Sequence, residues 1–131
     1  MIVLLDSGIW ISGLQFDGIP LKALEKALIE DEIAICDRIE EEITRVLTEK
    51  FGWHIRHVRQ SLAIYTHNAI HAAATGRLKG MCRDAKDAII FECAVNSDAK
   101  LIVSGDQDIL TVGIYEGIRV VTARKYVSGA P

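Results

Sequence analysis

Short, continuous apolar runs alternate along this chain with longer stretches in which apolar residues recur every three or four positions. Ile2-Val3-Leu4-Leu5 is an unbroken run, as expected of a strand buried on both faces, and Asp6-Ser7-Gly8 ends it. Residues 9–14 read as a short helix and Phe16-Asp17-Gly18 as a turn. Pro20 suits the first turn of a helix whose apolar stripe is Leu21, Leu24, Leu28 and Ile29. Ile33-Ala34-Ile35-Cys36 is a second short buried strand. Asp37 is placed to cap the helix after it, with Glu40 three residues on completing a capping box, and Ile39, Ile43, Val46 and Leu47 form the stripe. Residues 53–65 repeat the helical period through Val58, Leu62 and Tyr65. Residues 68–80 carry the weakest pattern: a short strand around 69–72, then a turn at Thr75-Gly76. A helix from Asp84 to about Asn96 carries Ala88, Phe91, Ala94 and Val95. The strand Leu101-Ile102-Val103 follows. Ile118-Arg119-Val120-Val121 is the last strand, and Thr122 can cap a final turn.

Strands that alternate with helical patterns imply βαβ units. The expected fold is α/β, one domain over residues 1–131, with a mainly parallel central sheet and helices on both faces. At 131 residues, half of them hydrophobic, the chain can bury a substantial core. No run of eighteen apolar residues occurs and no basic-then-apolar leader opens the chain, so neither a membrane span nor a secretory signal is expected. Cys36, Cys82 and Cys93 are odd in number and lack CxxC spacing. That favours a reducing, cytoplasmic setting and core-filling thiols over a disulfide framework or a zinc finger. The net charge of −3 weighs mildly against a nucleic-acid binder, unless the acids are themselves the site.

The acids do suggest a site. In a parallel sheet, ligands bind beyond the carboxyl ends of the strands. Asp6 ends the first strand, and Ser104-Gly105-Asp106-Gln107-Asp108 follows the Leu101 strand. Glu42 lies in the early turns of the helix after the second strand, and Asp87 in the first turn of the helix that leads into the Leu101 strand. Helix starts and strand ends face the same edge, so Asp6, Glu42, Asp87 and Asp106 can converge. Carboxylates held that close repel one another unless a cation intervenes. Oxygen donors without His or Cys favour Mg²⁺ or Mn²⁺, and such a site can activate water and neutralise the charge that develops on a phosphodiester. Taken singly, each acid has a plainer role. Asp6, Asp37 and Asp84 can cap helices, Asp87 can be a first-turn partner of Asp84, and Asp108 can cap the turn at Ile109-Leu110. Glu40, Glu41 and Glu42 can be solvated helix charges.

At these residues the chain resembles the PIN-domain family, small α/β nucleases that include the toxins of VapBC-type toxin–antitoxin pairs. The resemblance runs through Val3-Leu4-Leu5-Asp6-Ser7-Gly8, Glu42-Ile43-Thr44-Arg45-Val46-Leu47, Arg83-Asp84-Ala85-Lys86-Asp87, Ile102-Val103-Ser104-Gly105-Asp106-Gln107-Asp108-Ile109-Leu110, and the closing Val120-Val121-Thr122-Ala123-Arg124-Lys125-Tyr126-Val127. It implies an endoribonuclease dependent on Mg²⁺ or Mn²⁺. Asp6, Glu42, Asp87 and Asp106 would hold the metal, Asp108 would be an auxiliary acid, and Ser104 would orient a carboxylate or a water. It further implies RNA as substrate, an antitoxin as partner and a homodimer. Gly8 stands where the family has Asn, and Ala85 where it has Pro.

Other candidates are weaker. His54 with His57, and His67 with His71, have helical spacing for a shared metal but no further ligand, which favours surface histidines. Arg56, His57, Arg59, Arg77, Lys79 and Arg83 can form basic ground for a phosphate backbone or an ordinary charged face. A haloacid-dehalogenase phosphatase would need Asp-x-Asp where this chain has Asp6-Ser7-Gly8, and a receiver domain would need paired early acids and a late Lys. A PIN fold that binds RNA or a protein without cutting is the non-enzymatic alternative.

Overall fold

The apolar run Ile2–Leu5 forms strand β1, with Val3, Leu4 and Leu5 fully buried. The computed structural model describes residues 1–129. Beside β1 lie β2 (Glu32–Cys36), β3 (Ile70–Ala72), β4 (Leu101–Val103), β5 (Ile114–Tyr115) and β6 (Ile118–Val121), in the order β3-β2-β1-β4-β6-β5. All pairings are parallel except β5 with β6. Register places Leu4 opposite Ala34 on one side and Ile102 on the other. The helices are α1 (Ser7–Gln15), α2 (Ile19–Glu30), α3 (Asp37–Arg45), α4 (Ile55–Thr66), α5 (Ala85–Asn96), α6 (Gln107–Val112) and α7 (Ala123–Ser128). A π-helical turn, Val46–Lys50, extends α3.

The strand order positions the site. From β1 the chain moves to β2 and then β3 on one side, and it returns past β1 to β4 on the other. Parallel crossovers are right-handed, so the return through α5 lies on the opposite face from those through α1 to α4. The direction of winding changes between the adjacent strands β1 and β4. That switch point leaves a crevice beyond their carboxyl ends, where Asp6 and Asp106 stand.

The core fills both faces. Trp10, Phe91, Leu24, Ile35, Ile39, Ile43, Leu47 and Ile102 are each fully buried. Burying a large apolar side chain contributes on the order of 1.5–3 kcal/mol. Trp10 Nε1 satisfies its polar end by donating to the Leu5 carbonyl at 3.2 Å, and its ring meets Tyr65 edge-on. Gly13 brings α1 and α2 together: a Cβ there would lie 2.7 Å from Leu24 Cδ1 and 3.2 Å from the Pro20 carbonyl carbon.

Several expectations change. Asp37 does not cap α3. Cys36, in extended conformation, holds the cap position without a side-chain bond, Asp37 is the first helical residue, and Glu40 pairs with His71 at 3.7 Å, so no capping box forms. The α2 stripe is rotated. Ala23, Leu24 and Ala27 are buried, whereas Leu28 and Ile29 are exposed, because α2 packs through its small residues against α1 and α7. Strand β5 was not expected. It forms a hairpin with β6 around Glu116-Gly117, both at positive φ (49° and 80°), as a two-residue hairpin turn requires. The final turn after Thr122 is a full helix, α7, with the Thr122 hydroxyl accepting from Lys125 N.

Candidate metal centre

Asp6 leaves β1 with its backbone N–H still donating to the Val103 carbonyl of β4 at 3.0 Å. Its side chain is nearly buried. Oδ1 accepts from Ile9 N at 3.1 Å, capping α1, and Oδ2 accepts from the Ser104 hydroxyl. Asp6 therefore caps a helix and at the same time lines the candidate site. Ser104 is fully buried, and its Oγ accepts from Asp106 N at 3.0 Å. One hydroxyl thus links the acid after β1 to the acid after β4. Asp106 caps α6 by accepting from Asp108 N at 2.8 Å. Asp108 is therefore a first-turn residue of α6 and not its cap, contrary to expectation. Glu42, on α3, receives the Ser7 hydroxyl on Oε2 at 2.9 Å. Asp84 caps α5 through Lys86 N at 2.8 Å, and Asp87, in the first turn, is buried.

Asp6, Glu42, Asp87 and Asp106 line one cavity of about 900 Å³, together with Ser7, Asp84, Arg38, Arg45 and Lys86. Asp87 and Asp106, from this cavity, form a close acidic group with Asp108 outside its lining, their oxygens within 4.8 Å of one another. Asp6 and Glu42 share the cavity but stand outside that trio. Burial pushes the Asp87 carboxyl up to about 6, and Asp106, Asp84, Asp108 and Asp6 add to the rise. Burial also raises Asp6, against the Ser104 and Ile9 bonds that favour its charged form. Among the described residues, the cation within 4.0 Å of these acids is Arg83, with Nη2 3.9 Å from Asp108 Oδ1. Both groups are well exposed, so the pair offsets little of the repulsion. Concentrated, under-neutralised carboxylate oxygens without nitrogen or sulfur donors fit a hard divalent cation such as Mg²⁺ or Mn²⁺.

The family model described as "PIN domain" matches residues 2–108. The chain belongs to the PIN-domain family. The mostly parallel α/β sheet of this PIN domain also resembles solved structures at low identity. VapBC2 from Rickettsia felis, solved bound to a DNA fragment from its promoter, is 17% identical with a TM-score of 0.66, over 93% of this chain and 98% of that one. VapC20 of Mycobacterium tuberculosis, a Sarcin-Ricin loop cleaving toxin, is 16% identical with a TM-score of 0.60, over 89% and 98%. No curated protein sequence matches the chain. Among the described residues, no helix of this PIN domain is long and apolar enough to cross a membrane.

Three of the four histidines are engaged separately. His54 Nδ1 accepts from Arg56 N, capping α4; His57 stacks on Trp53 at 4.3 Å; and His71 faces Glu40. Sequence reasoning missed Ser7, Arg38, Arg45 and Lys86. The signal was available for the arginines: Arg38 with Glu42, and Glu41 with Arg45, are four apart on one helix. It also missed Glu92, which is fully buried on α5. Its carboxylate accepts from Thr75 N and, at 2.8 Å, from Gly76 N, so it ties down the segment between β3 and α5. Asn96 Nδ2 adds a bond to the Ala73 carbonyl at 2.7 Å. Burial alone would raise the Glu92 carboxyl, but the amides of Thr75, Gly76 and Leu78 outweigh it and hold it below the ordinary value.

Gly8 leaves room. A Cβ there would meet Asp6 Oδ1 at 3.5 Å, ordinary van der Waals contact. The missing Asn is therefore not dictated by crowding.

Proposed function

We propose that this PIN domain is an endoribonuclease that uses Mg²⁺ or Mn²⁺ and serves as the toxin of a toxin–antitoxin pair in the cytoplasm. The observation that carries the reading is the convergence of Asp6, Glu42, Asp87 and Asp106 on one cavity at the switch point of the sheet. Asp87 and Asp106, with Asp108 beside them and Asp6 and Glu42 lining the same cavity, would hold the cation. When bound, it would supply an activated water and neutralise charge on the phosphate under attack.

The rest is the work of the chain itself. Ser104 fixes the Asp6 carboxylate and the Asp106 backbone at once, so the two strand-end acids keep a set separation. Ser7 orients Glu42. Arg38, Arg45 and Lys86 stand in the cavity wall, where they can bind the non-reacting phosphates of the strand. The Asp87 carboxyl, raised to about 6 by burial and by the neighbouring acids, is still mostly ionised at neutral pH and would be available to a cation. The likeness to VapBC2 and VapC20 supports an antitoxin partner, and a homodimer belongs to the same reading. The test is cleavage of a mixed RNA panel by purified protein with Mn²⁺ and with EDTA. Cleavage that needs the metal supports the nuclease. RNA or protein binding with no cleavage under any metal would assign the non-cutting alternative.

A further inference from the structure

Helix α3 buries Ile39 and Ile43, while its Arg38, Glu41, Glu42 and Arg45 line the metal-centre cavity. Those four follow the i, i+3, i+4, i+7 spacing and share one face of the helix. Arg38 and Arg45 are seven residues apart, close to two full turns, so about 10.5 Å of helix axis separates them. Glu42, one of the converging acids, stands between them on that face.

Both arginines are uncommitted. Arg38 with Glu42, and Glu41 with Arg45, have the spacing of helical ion pairs. Yet among the described residues no carboxylate oxygen lies within 4.0 Å of either guanidinium. Glu42 accepts from the Ser7 hydroxyl instead. Arg38 and Arg45 are exposed, whereas Asp6 and Asp87 in the same cavity are buried. An entering anion therefore meets free guanidinium groups before it reaches the inner acids. Each guanidinium presents a planar fork of donors that matches a phosphate.

We propose that Arg38 and Arg45 hold the two phosphates that flank the one under attack, one on each side. Anchors two helical turns apart serve separate phosphates better than a shared one. Glu42 then falls beside the phosphate between them. The substrate this selects is an RNA segment with a charged phosphate on both sides of the cut. A terminal linkage lacks one anchor and a dinucleotide lacks both. This inference rests on RNA cleavage being the reaction of the site. It adds which phosphates the arginines take and the shortest substrate the site uses well.

The test couples each arginine to one phosphate. The probe is UpUpUpU, carrying fluorescein on a neutral linker, whose middle linkage is the scissile position. Two further probes carry a neutral methylphosphonate at the first or the third linkage. Binding is read by anisotropy in Ca²⁺, another hard cation that carboxylate oxygens accept, with the probe shown intact on a gel. Neutralising either outer linkage should weaken wild-type binding about tenfold or more, as for the loss of a charge-assisted pair. Arg38→Ala should weaken the parent probe by a similar factor and become indifferent to one of the two methylphosphonates. Arg45→Ala should become indifferent to the other. Non-additivity of that kind marks a direct contact. Each Ala variant should also lower the salt slope by about 0.7. Arg38→Lys and Arg45→Lys keep the charge, so they should restore the slope while recovering only part of the affinity. In Mn²⁺ the wild type should cut UpUpUpU with kcat/KM about 100-fold above that for UpU, which lacks both anchors.

Circular dichroism checks that the variants fold, which replacing exposed side chains should allow. Losses that simply multiply in every pairing overturn the proposal, as do two arginines that answer to the same linkage. A wild type that ignores both methylphosphonates, or that does not bind UpUpUpU, overturns it too. If the coupling is present but Mn²⁺ brings no cleavage of any RNA, the nuclease reading falls and the phosphate assignment stands. Mn²⁺-dependent cleavage without the coupling leaves the nuclease and removes the assignment.

Discussion

Replacing Glu92 with Gln keeps the volume of the side chain and removes its charge. In the native protein both carboxylate oxygens accept backbone N–H groups, Oε2 from Thr75 and Oε1 from Gly76. A carboxamide has one acceptor oxygen, so its NH₂ must face one of those donors. Hydrogen bonds to a charged group are worth about 1.5–3 kcal/mol each, and a buried donor left unpaired costs about 1–3 kcal/mol. Water can reach the exposed Thr75 and Gly76 once the segment loosens, which places the expected loss near the low end, about 2 kcal/mol. For a chain of this size that lowers Tm by about 6–10 °C. The pH dependence follows from the depressed carboxyl. Its stabilisation is fully present above the unfolded value of 4.5 and is lost as pH falls through the lower folded value. Urea unfolding followed by circular dichroism at pH 7 and at about pH 3 measures both. The Gln variant should unfold earlier at pH 7, and the gap should narrow in acid. Amide exchange should speed up at Thr75 and Gly76. Equal midpoints at pH 7, or a gap that does not change with pH, would refute the clamp.

Ser104→Ala removes the hydroxyl shared by Asp6 and Asp106; it should cost about 1–2 kcal/mol of stability in EDTA and weaken Mn²⁺ binding about tenfold or more, read by urea unfolding and calorimetry. Gly13→Ala should cost about 1–3 kcal/mol, because its methyl group meets both Leu24 and the Pro20 backbone; an unchanged urea midpoint would show that α1 and α2 can separate freely. Mn²⁺ at about 100 times its Kd should stabilise the wild type by about 2.7 kcal/mol in thermal melts, and Asp87→Asn should abolish most of that gain.

The strands were readable because burial on both faces leaves continuous apolar runs, as at Ile2–Leu5 and Leu101–Val103. Helix α5 was readable from its period and its acidic start. Strand β5 was not, since a two-residue strand has no period and Glu116-Gly117 lacks the usual Asn-Gly or Asp-Gly signal. The exposed Ile29 shows the limit of a hydrophobic stripe. Close packing through Ala23 and Ala27 decides which face turns inward, and small residues contribute little to the pattern. Within the candidate site, Asp6, Glu42, Asp87 and Asp106 were placed by strand ends and helix starts. Periodicity could not tell that Asp108 would join Asp87 and Asp106 in the tightest group, because side-chain direction within one turn is a tertiary matter. Glu92 had left a trace: a lone acid between Phe91 and Cys93 on a buried helix needs an internal partner.

In the proposed nuclease the strand-end acids act together on RNA. The most direct measurement is the rate of RNA cleavage by wild type, Asp6→Asn, Asp106→Asn and the double variant, in Mn²⁺ and in EDTA, with circular dichroism confirming folding. Asn can cap a helix about as well as Asp, so each single variant should fold. Each should cut about 100-fold more slowly or worse, a typical loss for a main electrostatic element. The double variant should be hardly slower than either single, since groups that work as a unit do not add. Cleavage that persists in EDTA, or that survives Asp106→Asn unchanged, would contradict the account.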